Sequence, residues 1–243
     1  MNAVKVSKFG DPSVLEMIQT PMIKPSPNEV LIKVAGAGIN PVDTYIRSGV
    51  YAAERLPKLP FTPGGDIGGV VVECGSNVSG FKTGDHVYTV LKTSSGGYAE
   101  YATSESDFTF KLPSQIGPVE GCAIGVPYFT AYRALVTIGQ AVKHEKVLIH
   151  GASGGVGIAA LQIAQQLGLD VYGTASSQAG LNLIEKHGAK AYNHRKEGYL
   201  EELKNEKFDL IIEMLANLNL AHDTEMLKPK GRIMVSNLEL TLY

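Results

Sequence analysis

VLIHGASGGVGIAALQIAQQLG, residues 147–168, runs from an apolar strand through four glycines in seven residues into a helical pattern. A fingerprint of the GxGxxG type spans 152–157, with Ala152 in the first glycine's place and an additional Gly151 just before it. A strand leading in, a helix leading out and a unit of about 30 residues are the context in which this fingerprint binds a dinucleotide. Gly154 and Gly155 would let the backbone approach a pyrophosphate, and Gly157 would let helix and strand pack closely. Backbone N–H groups, with the helix's partial positive end of about half a charge, would hold the anion. Ser153, Gly154, Gly155, Val156 and Gly157 are therefore candidate cofactor-binding residues. The alternative is a tight strand-helix turn with no ligand.

The identity of the dinucleotide turns on the end of the following strand. Folds that bind NAD place an acidic residue about 20 residues beyond the glycines, where it takes the ribose hydroxyls. VYGTASSQAGLNLI, residues 171–184, contains no Asp or Glu, and Ala175 stands at roughly the acidic position. Ser176 and Ser177 follow it, and a third strand brings His194 and Arg195 nearby. Hydroxyls and a cation without a carboxylate suit a 2'-phosphate, so NADPH is the expected cofactor. Arg195 can equally be read as a solvated surface residue.

Outward from this unit, strand-like and helical runs alternate. KVLIH, DVYGTA, KAYNH and FDLIIEML each precede a helical stretch, and GRIMVS follows the last. Such alternation specifies a parallel sheet with crossover helices, and Gly168 and Gly188 sit where helix C-termini need positive φ. Before residue 113 the apolar runs are short (EVLIKV, GGVVVEC, DHVYTV, AEYATS) and punctuated by Gly, Pro, Asn and Asp, which reads as a small β-rich domain. The expected division is 1–120 and 121–243. Gly64, Gly65, Gly68 and Gly69 read first as tight turns and a bulge, with ligand contact as the alternative.

Bulk properties bound the function. The chain has 243 residues, 44% of them hydrophobic, and a formal charge of -2, which offers no overall field for nucleic acid or acidic membranes. Two cysteines, Cys74 and Cys122, make neither a disulfide framework nor a multi-cysteine zinc site. No apolar run approaches a membrane span of about 20 residues. The amino terminus lacks a secretory h-region, and a cytoplasmic location is expected. His86, His144 and His222 read as turn or surface residues and His150 as packing; none is expected to act as a general base.

NPVDTYIRSG, PGGDIGGVV, SGGYAEY, PYFTAYRAL, HGASGGVG and IIEMLAN, in this order, make the chain resemble the zinc-free quinone oxidoreductases of the medium-chain dehydrogenase/reductase superfamily, in their zeta-crystallin group. The resemblance covers residues 1 to about 235. It implies an α/β protein: a GroES-like β-rich domain, a Rossmann domain with a doubly wound parallel sheet, and a cleft between them. It also implies Asn40, Asp43, Tyr45 and Tyr51 beside nicotinamide and substrate, with Asn40 and the tyrosine hydroxyls bonding the substrate carbonyl and Asp43 positioning the loop. Thr130 and Asn217 are the further cofactor residues it implies. Zinc relatives carry Cys where this chain has Asn40, and Gly-His-Glu where it has Gly64, Gly65 and Asp66, so no metal site is expected. The implied activity is NADPH-dependent reduction of a small quinone or related carbonyl compound. The alternatives are an enone or enoyl thioester reductase, and an impaired chain that binds NADPH or partners without turnover.

After KGRIMVS the resemblance stops and SNLELTLY remains, whereas family members continue with a glycine loop, a further strand and helix, and a segment returning to the β domain. The expectation is a truncated family member whose Rossmann sheet is incomplete, whose nicotinamide pocket lacks a wall, and for which the family's homo-oligomer is left open. LELTLY alternates like a strand and is expected to pair at the sheet edge.

Overall fold

The computed structural model describes residues 1–91, 96–214 and 216–235, and of 216–218 the backbone only. The chain divides into two compact units, Met1–Val126 and Pro127–Tyr243.

In the first unit, β1 (Asn2–Val6) and β2 (Leu15–Gln19) form an antiparallel pair. β3 (Glu29–Gly38) is followed by helix α1 (Pro41–Ser48), then β4 (Asp66–Cys74), β5 (His86–Val90), β6 (Tyr101–Glu105) and β7 (Thr109–Lys111). These last five strands make one antiparallel sheet in the order β6-β3-β4-β5-β7. Alternating side chains of the sheet, Val30, Ile32, Ile67, Val71, Val87 and Ala102, form its core. A short helix, α2 (Pro118–Gly121), lies against β4 so closely that a Cβ at Gly68 would overlap the Pro118 carbonyl oxygen. Glycine there is what the packing demands. The pairing of β3 with β4 shifts register between Val34 and Gly36, a bulge of the kind the glycines suggest.

The second unit follows the alternation read from the sequence. Helix α3 (Gly125–Tyr132), begun in the first unit, continues as a π-helical turn, Arg133–Ile138. Then come β8 (Lys146–Ile149), α4 (Gly155–Leu167), β9 (Asp170–Ala175), α5 (Gln178–Lys186), β10 (Lys190–Asn193), α6 (Tyr199–Lys204), β11 (Phe208–Glu213), α7 (Ala216–Met226) and β12 (Leu227–Val235). The strands are parallel in the order β10-β9-β8-β11-β12, the 3-2-1-4-5 order of a Rossmann sheet. Gly168 at the end of α4 (φ 69°) and Gly188 after α5 (φ 74°) take the left-handed conformation expected of them.

Both faces of this sheet are covered at its centre, so β8, β9 and β11 are mostly apolar and buried. Val147, Ile149, Leu210 and Ile212 pack with Ala160, Leu161 and Ala164 of α4, whereas Leu148, Tyr172 and Ile211 pack on the other face with Leu203 of α6 and Met226 of α7. Each fully buried aliphatic side chain contributes about 1.5–3 kcal/mol. Two residues beyond Leu148, Tyr172 and Ile211, strand alternation puts His150, Thr174 and Glu213 on that second face. The LELTLY segment lies outside the described residues.

Candidate functional site

The glycine loop connects β8 to α4. Gly151, Gly154 and Gly155 are exposed, while Ala152 and Gly157 are buried. A Cβ on Gly157 would lie 2.5 Å from both the Ala152 Cα and the Gly151 oxygen, which fixes Gly157 as the residue that lets α4 press on the loop. On Gly154 the same atom would find only the Gly151 oxygen at 3.3 Å, and on Gly155 only Pro127 at 3.6 Å. The outer face of the loop is bare backbone with room in front of it, at the first turn of a 13-residue helix. Val156 is half-buried, and Ser153 packs close to Gly180 of α5.

Beyond β9, Ala175 is buried, and its carbonyl accepts a hydrogen bond from the His194 N–H at 3.1 Å. Strand pairing thus brings His194 beside the position where an acidic residue would stand. The Ser177 hydroxyl accepts from the Gly180 N–H at 3.1 Å and so caps α5, a role the sequence reading did not assign. Arg195 is exposed, its N–H bonded to the Asn193 side chain. A cavity of about 280 Å³ opens at this end of the sheet, lined by His150, Thr174, His194, Tyr199, Glu213 and Asn219 among others. Desolvation on its rim, then the charges of Arg195 and His150, hold the His194 imidazole below its ordinary pKa. Thr130 is half-buried in α3, and the side chain of Asn217 lies outside the described residues.

In the first unit, Asn40 is the N-cap residue of α1 and Pro41 its first helical residue, an arrangement that suits proline's fixed φ. The Asn40 N–H donates to Asp43 Oδ2 at 2.7 Å, and the Asn40 amide nitrogen donates to Asp66 Oδ2 at 2.9 Å. The Val126 N–H donates to the same Asp66 oxygen at 2.8 Å, and the Tyr98 hydroxyl faces Asp43 Oδ2 at 3.4 Å. Both carboxylates are buried. Burial pushes Asp66 up to about 6 against the pull of its two N–H donors, and the charge of Asp43 adds to the rise. Burial likewise raises Asp43. Through the bond from the Asn40 N–H, Asp43 holds the start of α1. Tyr45 is half-buried, whereas Tyr51 packs against the apolar cluster of Val6, Val14, Ile46 and Phe61. A small apolar cavity of about 140 Å³ touches Ile39, Asp43, Pro63 and Tyr98.

The sequence reading did not bring Tyr98 forward, and named Asp66 only where zinc relatives carry a ligand motif, not as a partner of Asn40. The signal for Asp66 was present: an acid that leads directly into the apolar, glycine-rich run IGGVVV requires partners where it is buried. His150, Glu213 and Asp223 also come together, all buried, although they are distant in sequence.

Comparison with known proteins accords with this geometry. Residues 26–114 match the model of the alcohol dehydrogenase GroES-like domain, and residues 155–239 that of zinc-binding dehydrogenases. The chain is 49% identical over 243 residues to quinone oxidoreductase of Homo sapiens, spanning 97% of this chain and 72% of that protein. Quinone oxidoreductase of Escherichia coli, solved in complex with NADPH, superposes with a TM-score of 0.87 at 28% identity, covering 99% of this chain and 76% of that one. The CurK enoyl reductase does so with a TM-score of 0.87 at 28% identity, over 96% and 73% of the two chains.

One of these families is named for zinc, and the residues at the catalytic zinc positions of such enzymes can be tested against it. Zinc takes thiolate, imidazole or carboxylate donors. Gly65 has no side chain, and Asn40 turns its amide nitrogen, a donor, to Asp66. This set does not fit a catalytic zinc. The bare outer face of the glycine loop, in contrast, fits a pyrophosphate.

Proposed function

This chain belongs to the quinone oxidoreductase family, and we propose that it reduces a small quinone at the expense of NADPH without a catalytic metal. The observation that carries the reading is the exposed backbone of Gly154 and Gly155 at the first turn of α4, where an added side chain would meet little besides open space, one carbonyl and the edge of Pro127. Ser153 to Gly157 hold the pyrophosphate through their N–H groups. His194 and Arg195, with Ser176, take the 2'-phosphate, while Thr130 and Asn217 serve the nicotinamide end.

NADPH, when bound, supplies the hydride. A quinone is already electron-poor and accepts it without polarisation by a metal. The protein's part is orientation and charge. Asn40 has two amide protons, one given to Asp66, and its second bonds the acceptor's carbonyl oxygen as negative charge develops there. Tyr45 and Tyr51 supply further hydroxyls to the acceptor, and the proton that completes its reduction comes from Tyr45 or from water. Asp43 and Asp66 hold Asn40 in place, one through its backbone and the other through its side chain.

Stopped-flow oxidation of NADPH by 1,4-benzoquinone or 9,10-phenanthrenequinone tests this, with Asn40→Ala and Tyr45→Phe beside the wild type. Turnover that falls about tenfold or more in Asn40→Ala is expected; equal rates in all three chains overturn the assignment. A second reading, reduction of an enoyl thioester, is favoured by the likeness to the CurK enoyl reductase. Turnover of crotonyl-CoA in preference to quinones would select it. A location in the cytoplasm is proposed with either activity, and no described helix is long and apolar enough to cross a membrane.

A further inference from the structure

His150, Glu213 and Asp223 meet on the α6/α7 face of the Rossmann sheet, and their surroundings suggest a use apart from the cofactor loop. His150 follows β8, Glu213 ends β11 and Asp223 lies in α7, so three separate elements converge. His150 Nε2 stands 2.9 Å from Asp223 Oδ1 and 3.6 Å from Glu213 Oε2, and one donor atom from each residue falls within 4.8 Å of the others. The side chains of Glu213 and Asp223 are 0% exposed and that of His150 6%. Asp223 Oδ2 is sealed from water and has no hydrogen-bond partner among the described residues.

We propose that His150, Glu213 and Asp223 form a binding site for a divalent transition-metal ion, one that ties α7 to the C-terminal ends of β8 and β11. Two donors each about 2.1 Å from a metal stand about 3.0–3.4 Å apart in octahedral or tetrahedral geometry. The two observed separations bracket that interval. Charge argues the same way: two carboxylates and one imidazole in a water-poor site leave net negative charge, which a divalent ion and a neutral imidazole cancel. The ring of outer contacts that such sites need is in place. Asn219 donates to Glu213 Oε1 at 3.2 Å, and the Thr174 hydroxyl faces His150 Nδ1 at 3.5 Å. The cavity of about 280 Å³ that His150 and Glu213 line gives an ion a way in. One imidazole with two carboxylates suits Zn²⁺, Co²⁺ or Mn²⁺ and is a poor set for Mg²⁺, which favours oxygen donors alone.

The test is titration of the chelator-treated full chain with Co²⁺, followed by its visible d–d absorption, then displacement by Zn²⁺. Saturation at one equivalent is expected, without an intense thiolate-to-cobalt band, and with at least about tenfold weaker binding in His150→Gln and Asp223→Asn. Thermal melts supply an independent readout if either variant fails to fold: Zn²⁺ should raise the midpoint of the wild type and raise it less in Asn219→Ala. The proposal is overturned if the wild type gives no saturable cobalt spectrum, if thiolate bands place the ion at cysteine, or if the folded variants bind as the wild type does. Gly151 and His194 line the same cavity, so the metal titration is run without NADPH; NADPH binding, measured separately, tests the proposed function and not the metal site.

Discussion

Two glycine-rich segments, 64–69 and 151–157, look alike as strings and differ as structures. In the first, Gly64, Gly65, Gly68 and Gly69 are all buried, and a side chain on Gly68 or Gly69 would run into the backbone of α2 or β3. In the second, Gly157 is buried in the same way, but Gly154 and Gly155 are exposed and face almost nothing. A glycine is retained either because protein backbone presses on it or because something outside the protein does. The space in front of the missing Cβ tells which.

Substitutions separate the two cases. Gly68→Ala should have the largest effect, because the obstacles are the Pro118 oxygen and the Cys122 nitrogen at 2.7 Å, both backbone. Overpacking of this kind costs about 1–3 kcal/mol, read as a lower denaturation midpoint; an unchanged midpoint would mean that α2 moves freely. Gly154→Ala with Gly155→Ala should do the reverse, keeping stability within about 1 kcal/mol while weakening NADPH binding about tenfold or more, or about 1.4 kcal/mol.

Asp66 sets the first segment apart in a different way, because it is a carboxylate buried among glycines. Its pKa of about 6 exceeds the ordinary 3.8. Below pH 4 both the folded and unfolded chains hold the proton. As pH rises, the unfolded chain loses it first, so stability falls between about pH 4 and 6 and is level above, by up to about 3 kcal/mol. Asp66→Asn should flatten that part of the stability curve in urea titrations across pH; an unaltered slope would assign it to other groups. The smallest effect is expected for Ser177→Ala, about 1 kcal/mol of stability from the lost cap. If capping is its whole role, the ratio of NADPH to NADH affinity stays constant, and a shift in that ratio would make it a phosphate ligand as well.

Much of this was legible beforehand, for identifiable reasons. The β8–α4 unit announced itself through local signals: an apolar run, a glycine turn and helical spacing, all within about 30 residues. The parallel sheet followed from alternation, and its strand order from the resemblance to a Rossmann domain. Less visible was whatever depends on residues distant in sequence. Asp66 meets Asn40 across 26 positions, and His150 meets Asp223 across 73. Period-two alternation from Leu148, Tyr172 and Ile211 does place His150, Thr174 and Glu213 on one face, so two of the three members of that cluster could have been found by counting. Asp223 could not, since its place depends on how α7 docks.

Whether the bare amides before α4 hold NADPH decides the functional reading, and titration of the full chain against the cofactor's own fluorescence measures it without an intermediary. The chain contains no tryptophan to interfere. Saturable binding at one equivalent is expected, weakened about tenfold or more by alanine at 154 and 155. No saturation at millimolar NADPH, or equal affinity in the folded double variant, would show that these glycines serve no cofactor.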